Sequence, residues 1–199
     1  MKYIAVTMRA DKHPDYDETR DALDQRWLGF LQACCVSPIL LPNNLALVVS
    51  YLEYFTFAGV LLTGGNNPVA FGGDSPERDA VDSYLIDWAA QNDKPLIGVC
   101  RGMQSIQLAY QQALKPVTGH VRAQQEISLN GQATLVNSYH TLGAKTCLPP
   151  LTPWATSNDG VIKAIKHESK KVYGMMWHPE RNASFEPRDI DFFKQVFIP

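Results

Sequence analysis

The chain has 199 residues, 45% of them apolar and 19% charged, with a formal net charge of −2. That length supports a hydrophobic core, expected as one domain over residues 1–199, and the balance excludes a disordered polyelectrolyte and the basic footprint of a nucleic-acid or anionic-membrane binder. Cys34, Cys35, Cys100 and Cys147 lack Cys-x-x-Cys spacing, which points to reduced thiols.

Met1 to Met8 is too short an apolar run for a signal segment, and nowhere do roughly 18 apolar residues run together, so a soluble cytoplasmic protein is expected. Tyr3 to Met8 reads as a first strand. Arg9 to Arg20 holds seven charges and a proline and reads as a loop. Thr19 to Cys34 then carries Leu23, Trp27, Phe30 and Leu31 at helical spacing, with Thr19 as its N-cap. Ser37 to Leu41 reads as a second strand and Leu45 to Phe55 as a helix.

Gly59-Val-Leu-Leu-Thr-Gly-Gly65 is a third buried strand entering a glycine-rich loop, and Pro76-Glu77 opens a helix to about Asn92. Pro95 to Val99 is a strand and Arg101 to Gln112 a helix. This alternation predicts a parallel sheet with helices on both faces and sites at the carboxyl ends of its strands. Beyond Lys115-Pro116 the pattern turns to short β runs: Glu126–Leu129 and Ala133–Val136 around Asn130-Gly131, then Thr152–Ser157 and Val161–Lys166 around Asn158-Asp-Gly160. Val172 to Trp177 is a strand leading into His178-Pro-Glu180, and Asp189 to Phe197 is a closing helix.

Gly98, Cys100 and Gly102 have the spacing Gly-x-nucleophile-x-Gly, whose small flanking residues allow the tight strand-to-helix turn that raises one side chain above the sheet. A thiol at a helix N-terminus sits where the dipole favours its anion, and the Arg101 N–H can donate to an oxyanion. Gly65 N–H is the economical second donor. A cysteine nucleophile needs a base and an orienter, and His178 and Glu180, one residue apart at a strand end, can supply them. A zinc site from Cys100, His140, His178 and Glu180 lacks metal-motif spacing, and no cofactor or metal is expected.

Thr63-Gly-Gly-Asn-Asn-Pro68, Glu77-Arg-Asp79, Gly98-Val-Cys-Arg-Gly-Met-Gln104, Val136-Asn-Ser-Tyr-His140 and Gly174-Met-Met-Trp-His-Pro-Glu180 resemble, in order, the motifs of class I glutamine amidotransferases. The resemblance is nearest to the γ-glutamyl hydrolase branch, which includes γ-glutamyl-γ-aminobutyrate hydrolases. It implies a flavodoxin-like three-layer α/β fold with a mostly parallel central sheet. It further implies attack of Cys100 on a γ-glutamyl carbonyl, a thioester, and hydrolysis with His178 as base. By the same resemblance Gly65 and Arg101 are the oxyanion donors, and Gln104 with the loop Asn137, Ser138, Tyr139 and His140 clamps the glutamyl group.

Gln111-Gln112 and Asn67 depart from that pattern, where many relatives carry a glycine pair and an aspartate. The compact length and the segments Met8-Arg9 and Glu18 to Trp27 are more similar to γ-glutamyl-CDP-amidate hydrolases of capsular phosphoramidate synthesis. On that resemblance Arg9, Arg20 and the Asn66-Asn67 loop meet the nucleotide's phosphates. The expected partner is a small γ-glutamyl substrate, with no nucleic acid and no membrane. A homodimer is compatible with the sequence, and a synthase partner belongs only to the alternative of a glutaminase subunit.

Overall fold

Runs such as Val60–Leu62 and Leu96–Val99, with no exposed position in either, are strands covered on both faces. The computed structural model describes residues 2–199 and places both runs at the centre of the parallel part of a nine-stranded sheet. In chain order the elements are β1 (Lys2–Thr7), β2 (Arg9–Lys12), β3 (Thr19–Ala22), α1 (Arg26–Ala33), β4 (Val36–Leu41), α2 (Leu45–Tyr54), β5 (Gly59–Leu62), α3 (Pro76–Gln91), β6 (Leu96–Val99) and α4 (Arg101–Ala109). There follow β7 (Lys115–Pro116), β8 (Val121–Leu129), β9 (Gln132–Tyr139), β10 (Leu142–Gly143), β11 (Leu151–Ser157), β12 (Ile162–His167), β13 (Val172–Met175) and α5 (Pro187–Phe197).

The sheet order is β4-β1-β5-β6-β13-β12-β11-β8-β9. From β4 to β13 all neighbours are parallel, and from β13 to β9 all are antiparallel. Numbered among themselves, the parallel strands run 2-1-3-4-5, the flavodoxin-like order. Helices α1 and α5 cover one face with Trp27, Phe30, Leu31, Phe193 and Phe197. Helices α2, α3 and α4 cover the other with Val48, Val81, Leu85, Met103 and Ile106. This is the three-layer arrangement the resemblance implied. In such a sheet the crevice opens at the carboxyl ends of β1 and β5, where the winding reverses. Thr63 closes its floor, its N–H donating to Thr7 Oγ1 at 3.0 Å and its hydroxyl to Thr7 O at 2.8 Å.

Two expectations are overturned near the N-terminus. Arg9 to Arg20 is not a loop throughout, and the helix does not begin at Thr19. Thr19–Ala22 pairs antiparallel with Arg9–Lys12, so its backbone groups are taken by a ladder and are not free for helical bonds. Helix α1 starts only after Asp24, whose carboxylate accepts from the Arg26 N–H at 3.1 Å. The β2–β3 hairpin forms its own two-stranded sheet. Asn66 fastens it to the glycine loop: Ala10 N–H donates to Asn66 Oδ1 at 2.9 Å and Asn66 Nδ2 to Ala10 O at 2.7 Å.

Candidate active site

Cys100 is the only residue between β6 and α4, and the turn it makes is strained. Its φ of 52° and ψ of −104° are unfavourable for a residue with a side chain, at a cost of order 1–3 kcal/mol that surrounding structure must offset. What holds it is hydrogen bonding and close packing. Cys100 N–H donates to Met175 O on β13 at 2.7 Å, and Cys100 O accepts from Gln104 N at 3.1 Å. A Cβ on Gly98 would lie 2.5 Å from the Gly102 carbonyl, and one on Gly102 would lie 2.2 Å from Leu62 O. Both glycines are therefore required by backbone contact. The turn leaves the Cys100 thiol at the N-terminus of α4.

Strand β13 lies beside β6, so its carboxyl end delivers the following residues to Cys100. The strand stops at Met175, earlier than expected, and His178 and Glu180 are brought together by a 3₁₀ turn over Pro179–Arg181 rather than by strand alternation. His178 Nδ1 and Glu180 Oε1 are 2.7 Å apart, and both side chains are buried. Burial works against the imidazolium. The interactions with neighbouring Cys100 and with the Glu180 carboxylate outweigh it and raise His178 to about 9. His178 thus stands between a sulfur and a carboxylate, hydrogen-bonded to Glu180, while the Cys100 Sγ lies 4.0 Å from Tyr139 O.

Asn137 fixes that histidine from behind. Its Oδ1 accepts from His178 N–H at 2.8 Å, and its Nδ2 donates to His178 O at 2.7 Å and to Asn182 Oδ1 at 3.0 Å. Asn137 ends β9 with Ser138 and Tyr139, so the expected loop is a strand. Ser138 is also turned inward, donating to His120 O at 2.8 Å. Neither Asn137 nor Ser138 lines the cavity beside Cys100.

That cavity, of about 370 Å³, is bounded by Cys100, Arg101 and Gln104 on one side and by Tyr139, His140 and Thr141 on the other. Gly65, Asn66 and Asn67 close its rim. Gln104 is held by donation from Nε2 to Leu142 O at 3.1 Å. His140 has both ring nitrogens engaged, Nδ1 with Leu142 O at 2.9 Å and Nε2 with the buried Lys163 Nζ at 2.7 Å. Burial and the Lys163 charge push His140 down to about 3, so it is neutral near pH 7. Lys163 also reaches Gln125 Oε1 at 2.7 Å and Ser138 Oγ at 3.0 Å, and burial lowers it to about 8.

A second cleft, of about 280 Å³, opens on the other side of Gly65. Its walls are His178, Glu180 and Arg181 on one side and the hairpin residues Arg9 and Asp11, with Asp24 and Trp27, on the other. Arg9 is half exposed and bound to Asp11 at 2.6 Å. Arg181 lies 5.1 Å from the Tyr139 ring centre and 3.5 Å from Glu180 Oε1. Sequence reasoning missed Arg181, Trp27 and Lys163 as components of the site. It singled out Arg78 only as part of a motif. Arg101 presents its backbone to the site while its guanidinium is buried in ion pairs with Asp79 and Asp82.

A strand–cysteine–helix elbow, a histidine–glutamate pair at the neighbouring strand end and a 2-1-3-4-5 parallel core define a class of protein. The class I glutamine amidotransferase family model matches residues 32–198, and the chain belongs to that family. Among its relatives is the γ-glutamyl-CDP-amidate hydrolase of Campylobacter jejuni, 26% identical over 98% of this chain and 97% of that one. The γ-glutamyl-γ-aminobutyrate hydrolase of Escherichia coli O157:H7 is 28% identical over 81% of this chain and 80% of its own. A Thermoplasma acidophilum protein provisionally assigned to GMP synthase shares the fold, with TM-score 0.75, 18% identity and coverage of 98% of this chain and 94% of its own.

Proposed function

We propose that this chain hydrolyses a γ-glutamyl amide bond through a glutamyl thioester on Cys100. The observation that carries the reading is the line Cys100–His178–Glu180 at the junction of two clefts. The cavity beside Gln104 and Tyr139 takes the glutamyl group. The thiolate attacks the γ-carbonyl, forming the S–C bond, while the Gly65 and Arg101 N–H groups stabilise the oxyanion. His178 passes its proton to the departing nitrogen as the C–N bond breaks. Water, deprotonated by His178, then attacks the thioester and releases glutamate as the proton returns to sulfur. Glu180 keeps the imidazole oriented throughout.

Because His178 must reach the leaving nitrogen, the leaving group lies on the histidine side, in the cleft walled by Arg9 and Arg181. Guanidinium groups are well suited to phosphate oxygens. With the similarity to the Campylobacter hydrolase over nearly the whole chain, this supports γ-glutamyl-CDP-amidate as substrate, giving glutamate and cytidine diphosphoramidate in capsule biosynthesis. The Escherichia relative supports γ-glutamyl-γ-aminobutyrate as the second candidate.

The test is glutamate release by the purified chain from γ-glutamyl-CDP-amidate, γ-glutamyl-γ-aminobutyrate and glutamine, with Cys100→Ala as control. Turnover fastest on the nucleotide conjugate, and absent in the variant, is the expected result. No turnover of any of the three refutes the hydrolase reading.

A further inference from the structure

We propose that Arg78 is a positioning residue for this reaction, fixing the Gly64–Gly65 peptide so that the Gly65 N–H points at the oxyanion. The inference rests on the γ-glutamyl hydrolase reading. Its starting point is an unusual cation. Arg78, on α3, is 0% exposed, and no salt bridge among the described residues includes it. Its Nη2 donates to Thr63 O and Gly64 O, both at 2.8 Å, and its Nη1 to Asn66 Oδ1 at 3.0 Å. All three acceptors belong to one loop. Burying a charge without a carboxylate in contact costs several kcal/mol, so stability alone gives no reason for this choice of partner.

The loop has a reason to need a clamp. Glycines stand on both sides of the Gly64–Gly65 peptide, and Gly65 has φ +94°, so side chains impose almost no preference between the two faces of that peptide. A trans peptide points its C=O and N–H in opposite directions. Once the Gly64 carbonyl is drawn to the guanidinium on α3, the Gly65 N–H is turned away from α3. Gly64 packs against the reacting groups, since a Cβ there would lie 3.5 Å from Cys100 Cβ and 2.6 Å from His178 Cε1. The charged hydrogen bond also polarises the peptide, which strengthens its N–H as a donor.

Asn66 extends the clamp. Its Oδ1 accepts from both Arg78 and the Ala10 N–H, so the hairpin that walls the leaving-group cleft hangs from the same guanidinium.

The experiment compares Arg78→Met and Arg78→Lys with the unaltered protein on whichever γ-glutamyl substrate it turns over fastest. Loss of one oxyanion donor lowers kcat by about 10²–10³. The expected result for Arg78→Met is a fall of that size with KM changed less than about threefold and with alkylation of Cys100 by iodoacetamide nearly unchanged, because that displacement forms no oxyanion. Arg78→Lys, which keeps the charge but not the fork, falls between the two, and carries the test if Arg78→Met does not fold. Hydrolysis within threefold of the unaltered protein overturns the inference, as does alkylation falling in step with hydrolysis. A crystal structure of either variant supplies a readout independent of substrate: the Gly64–Gly65 peptide turned over supports the clamp, and an unmoved peptide refutes it. Silence of the unaltered protein on every γ-glutamyl substrate counts against the hydrolase reading instead.

Discussion

Replacing Glu180 by glutamine keeps an oxygen 2.7 Å from His178 Nδ1 and removes only the charge. A hydrogen bond to a charged group contributes about 1.5–3 kcal/mol and a neutral one about 1 kcal/mol, so the imidazolium loses roughly 1–2 kcal/mol. At 1.36 kcal/mol per pKa unit, His178 falls by about one unit, from about 9 toward 8. In the proposed mechanism His178 must be protonated to serve the departing nitrogen, so the alkaline limb of the pH–rate profile moves down with it. The sign for stability follows from the same shift. A histidine raised from 6.5 to about 9 by folding adds stability that is complete below pH 6.5 and lost as pH rises through 9. Glu180→Gln loses less over that window because it starts with less. The assay is glutamate release and iodoacetamide alkylation from pH 5 to 10, with urea midpoints at pH 6 and 9. An alkaline limb still near 9 in Glu180→Gln would refute the claim that the carboxylate holds the imidazolium.

Gly64→Ala puts a Cβ 2.6 Å from His178 Cε1, so the ring must shift; kcat/KM is expected to fall by about 10²-fold with the fold intact by circular dichroism. Gly102→Ala meets backbone instead, 2.2 Å from Leu62 O, and is expected to cost about 1–3 kcal/mol, read as a melting temperature lower by roughly 2–12 °C. His140 is held at about 3 by burial, then by Lys163, with His120 and His178 also facing it. Its contribution is therefore present above pH 6.5 and lost as pH falls through 3. In His140→Gln the fall in urea midpoint between pH 7 and pH 4 is expected to be shallower than in the unaltered protein.

The parallel half of the fold was legible because strands covered on both faces are apolar at nearly every position and are separated by amphipathic helices. The hairpin was not. Arg9–Lys12 and Thr19–Ala22 are mostly exposed and pair only with each other, so no alternation marks them. Leu23, in phase with Trp27, Phe30 and Leu31, instead extended the helical pattern backwards past its true start. The elbow was legible because backbone contact at Gly98 and Gly102 leaves no alternative residue. Lys163 and Arg78 were not, since a lone cation in a strand or helix reads as solvated, and only the assembled sheet shows them buried. Asn137 and Ser138 stand in a recognisable motif, yet which face of β9 they occupy is a matter of register.

On the proposed reading the two clefts divide the chemistry from its selectivity along the chain. Cys100, Gln104, Tyr139, His178 and Glu180 all lie within residues 32–198, the span the family shares. Arg9, Asp11, Asp24 and Trp27, which wall the second cleft, all precede it. A parallel sheet wound 2-1-3-4-5 leaves its crevice beside β1, and the segment that follows β1 is free to vary without disturbing β5, β6 or β13. The hairpin occupies that position, tied to the glycine loop through Asn66. On the proposed reading, acyl transfer from a glutamyl group is built on the shared geometry of three adjacent strands. The identity of the amine that departs is then decided by the segment up to Trp27, with Arg181 facing it across the cleft.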